Sequence, residues 1–459
     1  MSYSGLVTRI ITREHPNADK LAIGQCGAYQ VVVGKDTIAG TLGVFFAVDG
    51  QLSEPFCKAH DLISRVEIKV DPTDSAKTIE VKMGGYFSDN RKVRCQKLRG
   101  EKSEGFWMPL TCLAFTGVDL SSFKEGDAVE SANGVEICKK HYTPATLRRI
   151  GNQSTKARTP SKYFLKHFDT GQFKREGFTI PKGVILDITA KLHGTSARFS
   201  HALNEVPSKM SLHKRMYNAA LSLAHKLPLV GQKIKQRLQP IQDMHLEYQY
   251  LNGTRNVVLE NKGVNPSNPA NGTTYYGNEG FRFRATDPLK DLLYKGETLY
   301  GELVGFTGNG DTPIMGAVPV KDKEQQKVFG KSMTFSYGCN VGACEFYIYR
   351  ITMLNVDGFA IDLSPDAMRA RCVQLKLKVV PRMCDPFVYD GDLGALKIKL
   401  DALLEKPSIL DSRHVEEGVC IRWEGAGICK ILKHKSFTFL GFEDAQKSDD
   451  NFVDTEEVS

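Results

Sequence analysis

The chain has 459 residues, 61 Lys and Arg against 53 Asp and Glu for a formal net charge of +8, and a hydrophobic fraction of 41%. That length exceeds one ordinary core and implies two or three domains, while the charged fraction of 25% is that of a folded chain and excludes wholesale disorder. The modest positive excess favours polyanionic partners without naming one. No run approaches the roughly 18 apolar residues of a membrane span, and the N-terminus lacks a charged segment followed by an apolar core, so a cytoplasmic protein with no membrane partner is expected. Eleven cysteines occur without a C-x-x-C pair or histidines at finger-like intervals. Free thiols in a reducing compartment follow, rather than disulfides or structural zinc.

In chain order, short strands are expected over residues 4–12, 21–24, 29–33, 44–48, 66–70, 79–81 and 93–98, separated by Gly, Pro, Asn and Asp. A small β-barrel closes such a pattern, and residues 1–140 are expected to form it. Residues 141–180 are polar and basic and read as a linker. Residues 181–440 alternate strands of mixed length with a few helices, the pattern of an α+β domain. Within it, 209–240 reads as a helical insertion, with Leu212, Met216, Ala220, Leu223 and Leu227 at helical spacing and a basic opposite face. Residues 441–459 are acidic, with Asp449, Asp450, Asp454, Glu456 and Glu457, and are expected as a surface helix or frayed tail.

Chemistry concentrates at Lys191-Leu192-His193-Gly194-Thr195-Ser196, which follows the apolar run from Val184 to Ala190. A lysine at the end of a buried strand, beside a glycine and two hydroxyls, suits covalent attack on a nucleotide phosphate. Lysine side chains ordinarily titrate near about 10.4, so an attacking lysine needs burial or neighbouring cations to shed its proton. The same short pattern also describes a surface lysine before a turn, and other segments must decide. Those segments are Gly253-Thr254-Arg255, Leu299-Tyr300-Gly301-Glu302-Leu303-Val304, Phe346-Tyr347-Ile348-Tyr349-Arg350, Glu416-Glu417-Gly418-Val419-Cys420-Ile421 and Lys433-His434-Lys435-Ser436-Phe437.

In this order and spread, the segments resemble the motifs of the covalent nucleotidyltransferase superfamily of polynucleotide ligases and capping enzymes. DNA ligases and capping enzymes usually place an OB-fold after the last lysine motif, and only residues 436–459 follow Lys435 here. His193 stands where those enzymes commonly have Asp. The run Phe164-Leu165-Lys166-His167-Phe168-Asp169-Thr170-Gly171-Gln172-Phe173, with His15-Pro16-Asn17-Ala18-Asp19-Lys20-Leu21 and Lys97-Leu98-Arg99-Gly100-Glu101-Lys102-Ser103-Glu104-Gly105, resembles ATP-dependent RNA ligases with an N-terminal OB-fold, the Deinococcus and Naegleria type and its phage homologues.

The resemblance implies an N-terminal OB-type barrel followed by an antiparallel-sheet-rich nucleotidyltransferase domain. It implies Lys191 as the nucleophile that takes AMP from ATP, with His193 and Gly194 beside the nucleotide and Glu302 on the ribose. Tyr349 would stack on adenine, with Phe346 and Tyr347 as competing choices. Arg255 and Arg198 would contact phosphate. Lys433 and Lys435, alternating along one strand, would divide phosphate contact and assistance to the nucleophile, and Glu417 would organise Mg²⁺ or Mn²⁺ directly or through water. The function implied is sealing of RNA 3′-OH and 5′-phosphate ends through lysyl-AMP and RNA-adenylate, in RNA repair, by a monomer acting on a nick or splinted break. The alternatives are a non-catalytic RNA-binding protein on a ligase scaffold, and a DNA ligase or mRNA guanylyltransferase.

Overall fold

A computed structural model of the chain describes residues 3–71, 74–151, 162–226, 241, 243–259, 276, 279–308, 312–320, 322–425 and 428–454. Residues 152–161 of the expected linker, 227–240 of the expected insertion and 455–459 of the acidic tail lie outside the described residues. Among those described, no helix is long and apolar enough to cross a membrane. All eleven cysteines are free thiols.

The N-terminal strands form a six-stranded antiparallel sheet in the order Gly105–Pro109, Leu42–Ala47, Gly5–Glu14, Leu21–Cys26, Tyr29–Gly34, with Ala128–Val129 beside Gly5–Glu14. The sheet curls until its ends approach, since Glu104 donates its N–H to the Gln30 carbonyl at 2.9 Å. The His15 and Lys97 motifs meet there. His15 Nε2 lies 3.1 Å from the Leu98 carbonyl, and the Asn17 amide donates to the Arg99 carbonyl at 3.0 Å. Trp107 is buried with Ile10, Val31 and Phe45 in the interior.

Two further sheets carry the rest. The five-stranded one runs Gly171–Gln172, Ile428–Lys435, Gly418–Gly425, Ile185–Lys191, Phe387–Val388, and the seven-stranded one runs Val258–Leu259, Met244–Gly253, Thr195–Pro207, Glu297–Gly305, Cys344–Leu354, Ala360–Asp362, with Lys378–Val379 parallel to Cys344–Leu354. Strand alternation divides the five-stranded sheet. Leu186, Ile188, Val419, Ile421, Trp423 and Leu432 pack on one face with Leu396 and Leu400 of helix Leu393–Leu404. Asp187, Thr189, Lys191, Cys420, Arg422 and Lys433 face a cavity on the other.

Two expectations need correction. The described part of 141–180 is built into the fold: Phe164 and Phe173 are buried, and Gly171–Gln172 extends the five-stranded sheet. An apolar residue at the right place outweighs a basic average. Among the described residues, the C-terminal segment is not a frayed tail but begins within a helix packed on the fold. Helix Phe437–Gln446 buries Phe439 and Phe442, and Asp444 meets Lys92 Nζ at 3.0 Å, with the lysine side chain 0% and the acid 10% exposed. Of the expected insertion, helix Leu212–Lys226 is described and buries Leu221 while exposing Leu212, Met216 and Leu223.

Candidate active site

Lys191 ends the last full strand of the five-stranded sheet before the chain crosses to the seven-stranded one at Thr195. The crossing is tight. A side chain at Gly194 would bring its first carbon within 2.3 Å of the Leu303 carbonyl and 2.9 Å of Glu302 Cγ, so only glycine lets the two sheets close here. Beyond the turn, buried Arg282 donates to the Ser196 carbonyl and to Thr195 Oγ1, each at 2.6 Å. That anchoring sets Ser196 opposite Glu302 across the ladder.

The two sheets enclose a cavity of about 150 Å³. Its five-stranded wall presents Lys191 and Lys433. Its seven-stranded wall presents Ser196, Glu302 and Tyr349, with Arg255 at the mouth. Lys191 Nζ donates to Glu417 Oε1, and the Glu417 side chain is fully buried while that of Lys191 is 17% exposed. Cross-strand register explains the meeting, because Lys191 pairs with Gly418 and Gly418 with Lys435.

Tyr349 reaches the cavity through an irregularity. The ladder pairs Tyr300 with Arg350 and then Gly301 with Ile348, which leaves Tyr349 as an extra residue in a β-bulge. Bulges re-aim a side chain in this way. Phe346 and Tyr347 pack in hydrophobic cores instead. Burial, with Glu302 next, raises the Tyr349 phenol well above its usual range, so it stays neutral.

Lys433 and Lys435, expected to divide by pointing differently, face the same side of their strand, as residues two apart must. His434 between them turns the other way, to Asp401 at 2.7 Å and the Phe173 ring. The lysines separate by distance along the strand. Lys433 lines the Lys191 cavity, whereas Lys435 lines an adjoining cavity of about 600 Å³ that reaches the N-terminal sheet. Lys435 Nζ sits 2.8 and 3.0 Å from the two Glu443 oxygens and 3.9 Å from Glu417 Oε1.

Arg198 does not line the cavity. It is 3% exposed, and its guanidinium is spent on the Thr254 carbonyl at 3.0 Å and the Phe164 carbonyl at 2.7 Å. Burial pushes it down to about 10. A phosphate contact by Arg198 is therefore replaced by a fastening between strands and the 162–170 segment. Arg255 does reach the cavity, and its Nη2 meets Asp169 Oδ1 at 2.5 Å.

His193 Nδ1 stands 3.9 Å from Glu417 Oε2, with its ring edge-on between Phe335 and Phe439 and its backbone N–H donated to the Tyr337 hydroxyl at 2.6 Å. Sequence reasoning did not name His167 and Phe168 as site residues, yet both line the cavity. They stack on each other at 4.5 Å, and His167 meets Tyr349 edge-on at 5.1 Å. Burial, then Arg350 and Arg255, pushes His167 down to about 3. The adjacent His-Phe pair just before a glycine was the available signal. Burial also pushes the Cys420 thiol on the cavity wall up to about 11, so it is not a nucleophile at neutral pH.

No protein-family model matches the chain, and no characterised protein matches it by sequence. Solved structures do. An apo variant of Naegleria gruberi RNA ligase matches at 15% identity and a TM-score of 0.53, covering 96% of this chain and 97% of that one. The fold is that of an RNA ligase. A second variant, with ATP and manganese, matches at 15% identity and 0.53 over 96% and 99% of the two chains, and the ligase with pyrophosphate at 15% and 0.52 over 96% and 97%.

The donors here fit a divalent metal. Glu417 and Glu302 offer carboxylate oxygens at the site, and among the described residues no group of three or more His, Cys, Asp or Glu could hold an ion unaided. Such an ion would need further oxygens, from a ligand or water, to complete its shell.

Proposed function

We propose that this protein is an ATP-dependent RNA ligase that joins 3′-OH and 5′-phosphate RNA ends in RNA repair. The observation that carries the reading is one cavity, in a chain with an RNA-ligase fold, on which Lys191, Lys433, Glu302 and Tyr349 converge, with buried Glu417 behind it on Lys191. Lys191 attacks the α-phosphorus of ATP as the neutral amine, its ammonium proton released to solvent; an N–P bond forms, a second proton leaves the nitrogen to water, and the bond to pyrophosphate breaks with the leaving oxygen keeping the electron pair. Lys433 faces the charge that develops on the phosphate, where a preorganised cation stabilises the transition state most. Tyr349 offers a neutral ring to the adenine, and Glu302 a carboxylate to the ribose. A divalent ion held by Glu417 would screen phosphate charge. The RNA 5′-phosphate then takes AMP from Lys191, and the 3′-OH displaces AMP to form the phosphodiester. The curled N-terminal sheet serves as an OB-type RNA-binding module, with exposed Lys97 and Arg99 and half-buried Phe106 available to the strand.

Incubation with α-labelled ATP or GTP, followed by denaturing electrophoresis, tests this. The expected result is an ATP-dependent labelled band that Lys191→Ala abolishes. No such band would leave an RNA-binding protein on a ligase scaffold, and a band with GTP alone would indicate a guanylyltransferase. Sealing of nicked duplexes should require RNA on the 3′-OH side, and equal sealing with DNA there would count against RNA specificity.

A further inference from the structure

The helix that follows the last lysine motif carries a charge chain that the reaction above does not use. It starts directly after Lys435, capped by Ser436, whose hydroxyl accepts the Phe439 N–H at 3.1 Å and donates to the Glu416 carbonyl at 2.9 Å. Helix and motif therefore move as one piece. One turn on, Phe439 lies against both the His193 ring and the Lys435 ammonium, at 4.9 and 5.3 Å. A further turn brings Glu443, whose two oxygens hold Lys435 Nζ and whose Oε1 also receives Lys447 Nζ at 3.0 Å. Lys447 in turn reaches Asp49 at 3.2 Å and Asp454 at 3.2 Å. Asp49 sits in the turn after strand Leu42–Ala47 of the N-terminal sheet. The side chains of Lys435, Glu443 and Lys447 are 10%, 14% and 7% exposed.

A lysine carries a flexible four-carbon stem and a point charge, so its ammonium stays in one place only where partners fix it. Lys435 is nearer Glu443 than Glu417, and Glu443 is fixed from behind by Lys447. The chain thus runs from the carboxylate beside Lys191 to the N-terminal sheet without a break. We propose that Glu443 is a positioning residue for adenylyl transfer, holding the Lys435 ammonium beside Glu417 and tied through Lys447 to Asp49, so that the N-terminal region sets the geometry of the chemical step. This rests on the ligase reading above.

The test is single-turnover formation of the labelled lysyl-AMP by the full chain over a range of ATP concentrations. Glu443→Ala should slow the maximal rate by about 10- to 100-fold, as misplacement of a charged group near the reacting atoms does, with little change in the ATP concentration giving half that rate. Glu443→Asp should restore much of the rate. Lys447→Met, which keeps the Glu443 carboxylate but removes its support, should slow it in the same direction by less. A residue with only a structural role would lower the melting temperature and leave the rate per folded molecule unchanged, and that outcome for Glu443→Ala overturns the proposal. Should that variant not fold, the isosteric Glu443→Gln carries the same comparison, and a wild-type rate there overturns it equally. A wild-type protein that forms no Lys191-dependent adduct overturns the ligase reading first, a result distinct from any difference among these variants.

Discussion

The molecule buries opposite charges in two places, and they are built differently. Around Lys92, at the junction of the N-terminal sheet with the rest, the charge is closed off, while the neighbouring Lys174–Glu104 pair borders the larger cavity. Lys92 Nζ donates to the Asp444 carbonyl at 2.8 Å and meets its carboxylate at 3.0 Å, and Lys174 pairs with Glu104, which also accepts the Gln30 N–H at 3.1 Å. At the Lys191 cavity, by contrast, cations Lys191, Arg255, Arg422 and Lys433 border open space against acids Asp187 and Glu302. Closed pairs specify which surfaces dock. A cavity wall with more cations than acids leaves a positive field facing open space. Buried pairs are weak evidence of net stabilisation, because desolvation offsets much of the attraction; what distinguishes the two places is that the charges of one border open space and those of the Lys92 pair do not.

The sharpest way to break this comparison is to remove one charge from each place and read both activity and stability. Lys433→Ala should cut the rate of lysyl-AMP formation by on the order of 10²–10³-fold, as loss of a transition-state charge contact does, while the urea midpoint stays near wild type. Lys92→Met should do the reverse. Removing one partner of a buried pair costs about 3–5 kcal/mol, visible as a lower urea midpoint, with the adduct formed per folded molecule unchanged. Replacing both partners, K92M with D444L, should recover most of that loss, because no uncompensated charge remains. An active-site defect in Lys92→Met that exceeds its loss of folded protein would erase the distinction.

The smallest effect concerns protons. Burial, the largest cause in each case, pushes His141, His167, His414 and His434 below the usual imidazole range, His167 to about 3. An unfolded imidazole takes its proton near 6.5, so below that pH the unfolded chain binds protons that the folded one refuses. Stability is therefore full above pH 6.5 and is lost as pH falls from there towards 3. The urea midpoint at pH 5.0 should lie below that at 7.5 by the equivalent of on the order of 1–2 kcal/mol, and His167→Phe should reduce the difference.

Much of this was legible in the residues. Strand periodicity and turn residues located most N-terminal strands, and the fixed order of the lysine, glutamate and aromatic segments located the cavity before any geometry. Three things were not. Tyr349 was preferred over its neighbours from its place in the motif, but the reason it faces the cavity is a bulge, which depends on pairing with a strand distant in sequence. Arg198 reads as a phosphate ligand because an exposed and a buried arginine are the same letter, and only the fold shows it buried, away from the cavity, with two donors on the carbonyls of Phe164 and Thr254. The C-terminal segment read as a surface helix or frayed tail because the partners of Asp444 and Lys447, Lys92 and Asp49, lie in the first part of the chain. Charge pairing over such separations leaves no local pattern.

That separation has a temporal side. Lys92 and the residue that receives its ammonium, Asp444, are 352 positions apart, and a ribosome adding about 5–20 residues per second needs tens of seconds to pass from one to the other. Throughout that interval the nascent N-terminal sheet can form its ladders and fill its interior, yet its docking face carries lysines whose counter-charges have not been made. Only a polypeptide translated past Asp444 and Lys447 carries the counter-charges that Lys92 and Asp49 meet in the folded protein.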